Sequence, residues 1–407
     1  MALDTTTLGE LLHEVYSPRA IEDIQGKTSA VWNAMPTAPE VLGGEDGTNF
    51  AVEAIADRSF GFQDQNAQIR AAGNSTVLKA RVFPKVFAGL VQMSGLAKDM
   101  SGPQFAFADG WNSEISRKLK SMTEYLETCL FRDGTGLLAL VNEPSAVPDT
   151  TGGGLNVDTP GTAHLRIGQN LDFHHTSTNV RQGSAKVTDV DQANSAVTLD
   201  ADISTQIADN SKIYISGTQA SGAAAAVEAN GLADQIKTSG TWNGISLSTY
   251  PQLKGNVISA SSTDLSEDLL ERSVNRVEIE GNVTAASASK FMFVMHPDQR
   301  RKYLDMVRAQ KQFTGLSLDA GYKTLGFNGN PIVFTRSAKP SEVYCGDFSK
   351  FEKFFTSNGQ LQIDMGRGLT YLDGYDVLYG VLKAYLQFAV RNPKAFCRIE
   401  SLNTPTY

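Results

Sequence analysis

Few residues in this chain have the types and spacing that chemistry requires. Gly26-Lys27-Thr28 ends like a phosphate-cradling loop, but the glycine needed upstream is Ile21, so the segment reads as a helix terminus. Gly244-Ile-Ser-Leu-Ser248 begins like a serine nucleophile elbow and fails at its last position, where a glycine must stand. His174-His175 falls in a strand pattern, which sends the two rings to opposite faces and away from a shared metal. His296 precedes a proline at a strand end, a place for capping or packing. Glu267 and Asp268 are adjacent on a helix and do not converge on one point. Asp298 to Asp305 reads as the solvated face of a charged helix. Cys129, Cys345 and Cys397 are far apart, with no CxxC spacing, which fits a reduced compartment without a disulfide framework or zinc site. No convergent titratable set emerges, so neither catalysis nor a cofactor or metal is expected.

With chemistry set aside, composition bounds the class. A chain of 407 residues exceeds one ordinary core, so two to four structural units are expected. Hydrophobic residues make up 41%, enough for packed cores. The 36 basic and 44 acidic residues give a net charge of −8, spread without a basic block. Tight binding of nucleic acid through phosphate neutralisation is therefore not expected. The opening MALDTTTLGELLHEV lacks the basic start and apolar run of a secretory signal, and no apolar run approaches membrane-spanning length.

The strongest periodic signal lies in Pro103 to Arg132. Phe107, Trp111, Ile115, Leu119, Met122, Leu126 and Leu130 recur every three or four residues, one face of a helix. Arg117, Lys118, Lys120, Glu124 and Glu127 fall largely off that stripe. Ser101 suits the cap, Pro103 the first turn, and Asp133-Gly134 the end. Such a helix would be roughly 45 Å long. Before it, residues 1–45 read as an arm with a short amphipathic piece after Thr7 and another at Ile21 to Trp32. Residues 46–100 read as a long β-hairpin: Thr48 to Ala56 goes out and Ser75 to Gly95 returns. Val77, Lys79, Arg81, Phe83 and Lys85 alternate with Leu78, Ala80 and Val82, as in a two-faced ribbon. A ribbon of this kind is marginal alone and is expected to rest on another subunit. Its 18-residue connection, Asp57 to Asn74, is longer than common loops and suits an interaction role.

After the helix, Gly136 to Val141 reads as an apolar strand and Thr150 to Gly154 as a hinge. From Leu155 to Gly217 the pattern is of short strands with polar turns (LRI, LDFHHT, AKVTDV, SAVTLD, KIYIS), a small β-barrel or sandwich. Then come a helix over Asp264 to Glu280 with a Thr263/Glu267-type start, a buried strand at Lys290 to Met295, and a helix after His296-Pro297. Short strands follow at Ile332 to Phe334 and Val343 to Cys345, giving a mixed α/β region. At the end, Leu378 to Val390 reads as a strand, Arg391 to Lys394 as a turn, and Ala395 to Leu402 as the returning strand. These two are expected to pair with Leu137–Val141 in one sheet beneath the long helix.

The order of these elements resembles the major capsid proteins of tailed bacteriophages, the Hong Kong ninety-seven-like fold. The likeness is carried by the Pro103–Arg132 helix, SEDLLERSVNRVEIEG (266–281), FMFVMHPDQRRKYLD (291–305), FNGNPIVF (327–334) and DVLYGVLKAYLQFAVRNPKAFCRIESL (376–402). It covers nearly the whole chain and rests on the order of elements, since no segment is a sharp motif. The implied class is α+β: a capsid fold with a long spine helix, an extended β-hairpin loop, peripheral and axial domains, and an inserted small β domain. In that scheme residues 1–45 are the N-terminal arm and 46–100 the extended loop. Residues 101–150 with 370–407 are the peripheral domain, 155–217 the insertion, and 218–369 the axial domain.

The resemblance implies a non-enzymatic shell subunit that assembles with its own copies into pentamers and hexamers around double-stranded DNA contacted non-specifically. It implies a virion location, with assembly in the bacterial host cytoplasm. Partners would be a portal, a decoration protein, and a separate scaffolding protein, since the N-terminal segment has no room for a built-in scaffold. Arg58, Phe60, Phe62, Ile69 and Arg70 at the loop tip are the expected inter-subunit contacts. Some shells of this family cross-link a loop lysine to a neighbour's asparagine. The tip 57–74 has no lysine, and Lys79 and Lys85 lie in the ribbon, so a non-covalent shell is expected. The alternatives are an encapsulin-type compartment shell and a carbohydrate-binding surface protein built around residues 155–217.

Overall fold

The computed structural model describes residues 30–40, 42, 47–62, 64–65, 68, 71–94, 110–143, 150, 154–158, 160–222, 227–288, 290–311, 325–356, 362–363, 370–371 and 376–404. They divide into two compact units. One holds described residues of 87–126 and 361–384, the other those of 29–86, 127–360 and 385–407. Phosphate-loop-like Gly26-Lys27-Thr28, the amphipathic piece after Thr7, the helix start at Ser101–Pro103, and Ile69 and Arg70 lie outside the described residues.

In the larger unit, strands β1 (Thr48–Ile55) and β2 (Thr76–Val82) pair antiparallel, with Phe50 opposite Ala80. Alternation holds as expected: Phe50, Ala54, Ala80 and Val82 are buried, while Val77, Lys79 and Arg81 are exposed. The returning strand is not continuous. It breaks at Phe83-Pro84, and β3 (Lys85–Ser94) pairs with a strand near the C-terminus instead of with β1. Proline lacks the N–H that a ladder needs, which is why the ribbon ends there.

Six strands form the next sheet: β4 (Ala139–Leu140), β5 (Leu155–Asn156), β6 (Asn170–His174), β7 (Arg181–Asp191), β8 (Ala196–Leu199) and β9 (Lys212–Ile215). Their order is β4-β9-β6-β7-β8-β5. The two edges then meet: Val141 bridges Val157, Asn142 N–H donates to the Asn156 carbonyl at 3.0 Å, and Asp158 N–H to that of Leu140 at 2.9 Å. The sheet is thus a closed barrel, filled by Leu138, Val141, Leu155, Leu171, Phe173, Val187, Val197 and Ile213. Closure removes both exposed edges. Two expectations change here. Leu137–Val141 pairs with β9 in the barrel, not with the C-terminal strands. Leu165-Arg-Ile167 is no strand; it follows the 3₁₀ turn Gly161–His164. Thr150, in the expected hinge, is buried against the barrel, its hydroxyl donating to Asp202 at 2.9 Å.

A short hairpin, β10 (Thr241–Trp242) and β11 (Ile245–Ser246), leads to the α/β sheet. That sheet contains β12 (Asn256–Ser259), β13 (Phe291–Met295), β14 (Leu325–Phe327), β15 (Asn330–Phe334) and β16 (Val343–Asp347). All five residues of β13 are buried, as in a central strand covered on both faces. Helix Glu267–Gly281 packs on it through Leu269, Leu270, Val274 and Val277. Its cap is Ser266, whose hydroxyl accepts from Leu269 N–H, in place of Thr263. Helix Pro297–Lys311 is not simply a solvated face. Gln299 is fully buried and donates to the carbonyls of Pro340 and Asn403, and Tyr303 donates to that of Gly326.

Beyond β16 come β17 (Phe351–Phe355), β18 (Gln362–Ile363), β19 (Thr370–Tyr371), β20 (Val377–Val390) and β21 (Phe396–Glu400). The expected hairpin of the last two strands does not form. β21 lies between β12, to which it is parallel, and β16, to which it is antiparallel. The Asn392-capped turn Pro393–Ala395 redirects the chain from one sheet to another. In the larger unit β17 pairs with the end of β20. In the smaller unit β18 and β19 pair with earlier parts of β20, β3 pairs with β20 as well, and Val91, Met122 and Leu382 make a small core.

The long helix is described from Gly110 to Cys129, so by helical rise it spans about 30 Å. Met122, Leu126 and Leu130 of the expected stripe are buried. The helix stops before Gly134, which nonetheless takes a left-handed φ of 78°. Three tightened turns, Leu130 to Glu127, Phe131 to Thr128 and Arg132 to Cys129, close it earlier.

Candidate subunit-contact surface

The hairpin rests at its base on its own chain. Phe50, Ala54, Ala80 and Val82 share a core with Trp242, Leu247, Leu253, Phe354 and Ala389. Phe50 stacks on Phe354 at 6.3 Å and meets Trp242 edge-on at 6.2 Å. Arg391 clamps this base. Its guanidinium lies 2.6 Å from Glu40 and 2.8 Å from Glu352, and 5.3 Å from the centre of the Phe50 ring. The Arg391 hydrogen bond holds the Glu40 carboxyl below its ordinary pKa.

Past Ile55 this support ends. Asp57 accepts from Ser59 N–H at 2.8 Å, and Ser59 Oγ accepts from Gly73 N–H at 2.9 Å, which joins the two sides of the loop at its neck. The Ser59 hydrogen bonds hold the Asp57 carboxyl below its ordinary range. Arg58, within the neck, is exposed; beyond it Phe60 is 80% exposed and Phe62 is fully so. The structure thus places Arg58, Phe60 and Phe62 on one exposed loop. Beside them, Ile55, Val77 and Phe83 are exposed hydrophobics that were not among the expected contacts, and past the break Val86, at 68%, and Leu90 are exposed too. Their signal was in the alternation, since Val77 and Phe83 share the ribbon face of Lys79 and Arg81. Large apolar groups left exposed along the ribbon and its loop mark a surface that gains by being covered.

Elsewhere the reactive-looking groups are held in structural roles. His174 is buried and donates through Nδ1 to the Asn179 carbonyl at 2.9 Å, while His175 turns outward and accepts from Ser177. His296 starts helix Pro297–Lys311, with Nδ1 2.9 Å from the Asp298 carboxylate. Arg132, at the helix end, is buried against Glu228 at 3.1 Å. Burial holds the Glu228 carboxyl up at about 8. His164 is buried and donates through Nε2 to the Ser337 carbonyl at 3.2 Å. Burial, with Arg132, Lys339 and Arg166 nearby, keeps its imidazole well below the ordinary pKa. Among the described residues no three of His, Cys, Asp and Glu are grouped to hold a metal ion.

No family model matches the chain. No curated protein matches it. Solved structures do. The cyanophage A-1(L) capsid asymmetric unit aligns at 11% identity over 99% of this chain and 100% of its own, with a TM-score of 0.60. The capsid of the native GTA particle aligns at 11% identity over 98% and 99%, at 0.50. An encapsulin complex from Synechococcus elongatus aligns at 10% identity over 100% and 99%, at 0.49.

Proposed function

We propose, from a chain with the fold of a phage capsid subunit over nearly its whole length, that this protein is the major structural shell subunit of a tailed phage. It assembles with its own copies into hexamers and pentamers of an icosahedral shell around double-stranded DNA. The observation that carries the reading is the full-length match to the cyanophage capsid at a TM-score of 0.60. The hairpin supports it, with an anchored base and an apolar tip that a lone subunit leaves in water.

Within that reading, residues 46–100 are the extended loop over a neighbouring subunit. Arg58, Phe60, Phe62, Ile69 and Arg70 are its contacts. The Gly110–Cys129 helix is the spine of a peripheral domain, the barrel of β4 to β9 is an outward insertion, and the α/β sheet of β12 to β16 with β21 is the core of the axial domain. The arm 1–45 reaches neighbours. Scaffolding, portal and decoration proteins are the further partners, and the virion capsid is the location, reached from the host cytoplasm. No described helix is long and apolar enough to cross a membrane.

Electron microscopy of the purified full chain at high concentration tests this. Closed shells, or rings of five and six, are expected, and heating them in denaturant should release single chains because the tip carries no lysine for cross-linking. A stable monomer whose residues 57–74 resist protease would count against the shell reading.

A further inference from the structure

We infer that Cys345 and Cys397 form a latent disulfide site that locks the C-terminal strand β21 onto β16. The sequence shows no pairing, yet the sheet register sets these two residues directly opposite each other on antiparallel strands. Directly opposed residues in such a ladder have Cα atoms about 4.5 or 5.5 Å apart, and both values lie inside the range a disulfide spans. The two side chains share one face, since both line the core under helix Glu267–Gly281. Cys345 Sγ contacts Ser273 Oγ of that helix at 3.3 Å. Both are free thiols in this structure and are buried. Cys129, the third cysteine, sits at the end of the long helix, outside this core cluster.

The oxidant is a small-molecule disulfide such as oxidised glutathione. The thiolate of one cysteine attacks it, forms a mixed disulfide and displaces one glutathione thiolate. The second protein thiolate then attacks the protein sulfur of the mixed disulfide and displaces the other. Two protein thiols are oxidised and give up two protons, and one glutathione disulfide is reduced to two thiols that take those protons up. Burial excludes the reagent from the finished sheet. The bond therefore forms while β21 is still unpaired, and the same packing afterwards shields it from reductants. It closes a long loop of chain, the situation in which a cross-link most restricts the unfolded state. None of this depends on the shell reading.

The full chain made by cell-free synthesis in reduced and oxidised glutathione, trapped by alkylation under denaturing conditions and digested, tests the site. The soluble chain is expected to be alkylated only at Cys129 and to yield a linked Cys345–Cys397 peptide, lighter by two hydrogen atoms than its two parts. Cys129→Ser should give the same linked peptide, and Cys397→Ser none. In the folded chain dithiothreitol should open the bond far more slowly than after unfolding. A soluble chain alkylated at all three cysteines, linked through Cys129, or reduced equally fast in both states would overturn the assignment.

Discussion

Arg391 joins four segments through one side chain, and in the sequence it is only part of a turn. Its partners Glu40, Glu352 and Phe50 come from an arm, a strand and a hairpin far apart along the chain. Arg391→Met is expected to cost about 1.5–3 kcal/mol, the range for hydrogen bonds to charged groups, read from the urea midpoint. Arg391→Lys should recover only part, because an ammonium lacks the planar fork that meets both carboxylates. His164 is a second residue whose role comes from burial. Its imidazole is held neutral in the fold by burial and by Arg132, Lys339 and Arg166, so below a pH of about 6.5 the unfolded chain binds the proton more readily. Stability should therefore fall as pH drops below that point and stay flat with respect to this group above it. His164→Gln should flatten the acid limb of a stability–pH curve, and an unchanged limb would rule the residue out as its source. His164 offered no legible signal, being one isolated histidine with no titratable partner type at a motif spacing.

At the scale of elements, periodicity read well wherever a strand or helix has one wet face. The β1–β2 alternation and helix Glu267–Gly281 both appeared in the pattern, and the fully buried β13 appeared as an unbroken apolar run. What pattern could not show was which strand pairs with which. Leu137–Val141 and Ala395–Leu402 are apolar enough for any sheet, and their partners were chosen by barrel closure and by the turn at Pro393–Ala395. The end of the long helix shows the same dependence on distant chain. Leu232 N–H donates to the Leu130 carbonyl at 2.7 Å, so residues re-entering after the barrel cap it. A Cβ on Gly231 would lie 2.2 Å from the Cys129 carbonyl oxygen and 2.6 Å from those of Leu130 and Arg132. Backbone cannot yield there as a flexible side chain can. Gly231→Ala is expected to cost about 3 kcal/mol or more, measured as a lowered urea midpoint or loss of soluble chain.

For the whole molecule, the proposed contact surface is the hairpin tip. Phe60 and Phe62 are so exposed that removing them costs the isolated chain almost nothing. The double change Phe60→Asp and Phe62→Asp is expected to leave the thermal midpoint in place while abolishing shells or rings by microscopy and sizing. Assembly with normal yield would remove these two residues from the contact set. The Arg391 variants act on the base of the same hairpin, so they should lower stability and assembly together. That difference separates a contact residue from one that supports the contact.

The sequence by itself determined many local choices: the course of elements such as β1, β13 and helix Glu267–Gly281, and the apolar side of those with one wet face. Those follow from side-chain spacing, which acts over a few residues. Only the tertiary structure decided the barrel closure, the exchange of β21 into the α/β sheet, the Arg391 clamp and the meeting of Cys345 with Cys397. Each joins residues whose separation along the chain carries no period, and burial of apolar area, not local propensity, selects among the pairings.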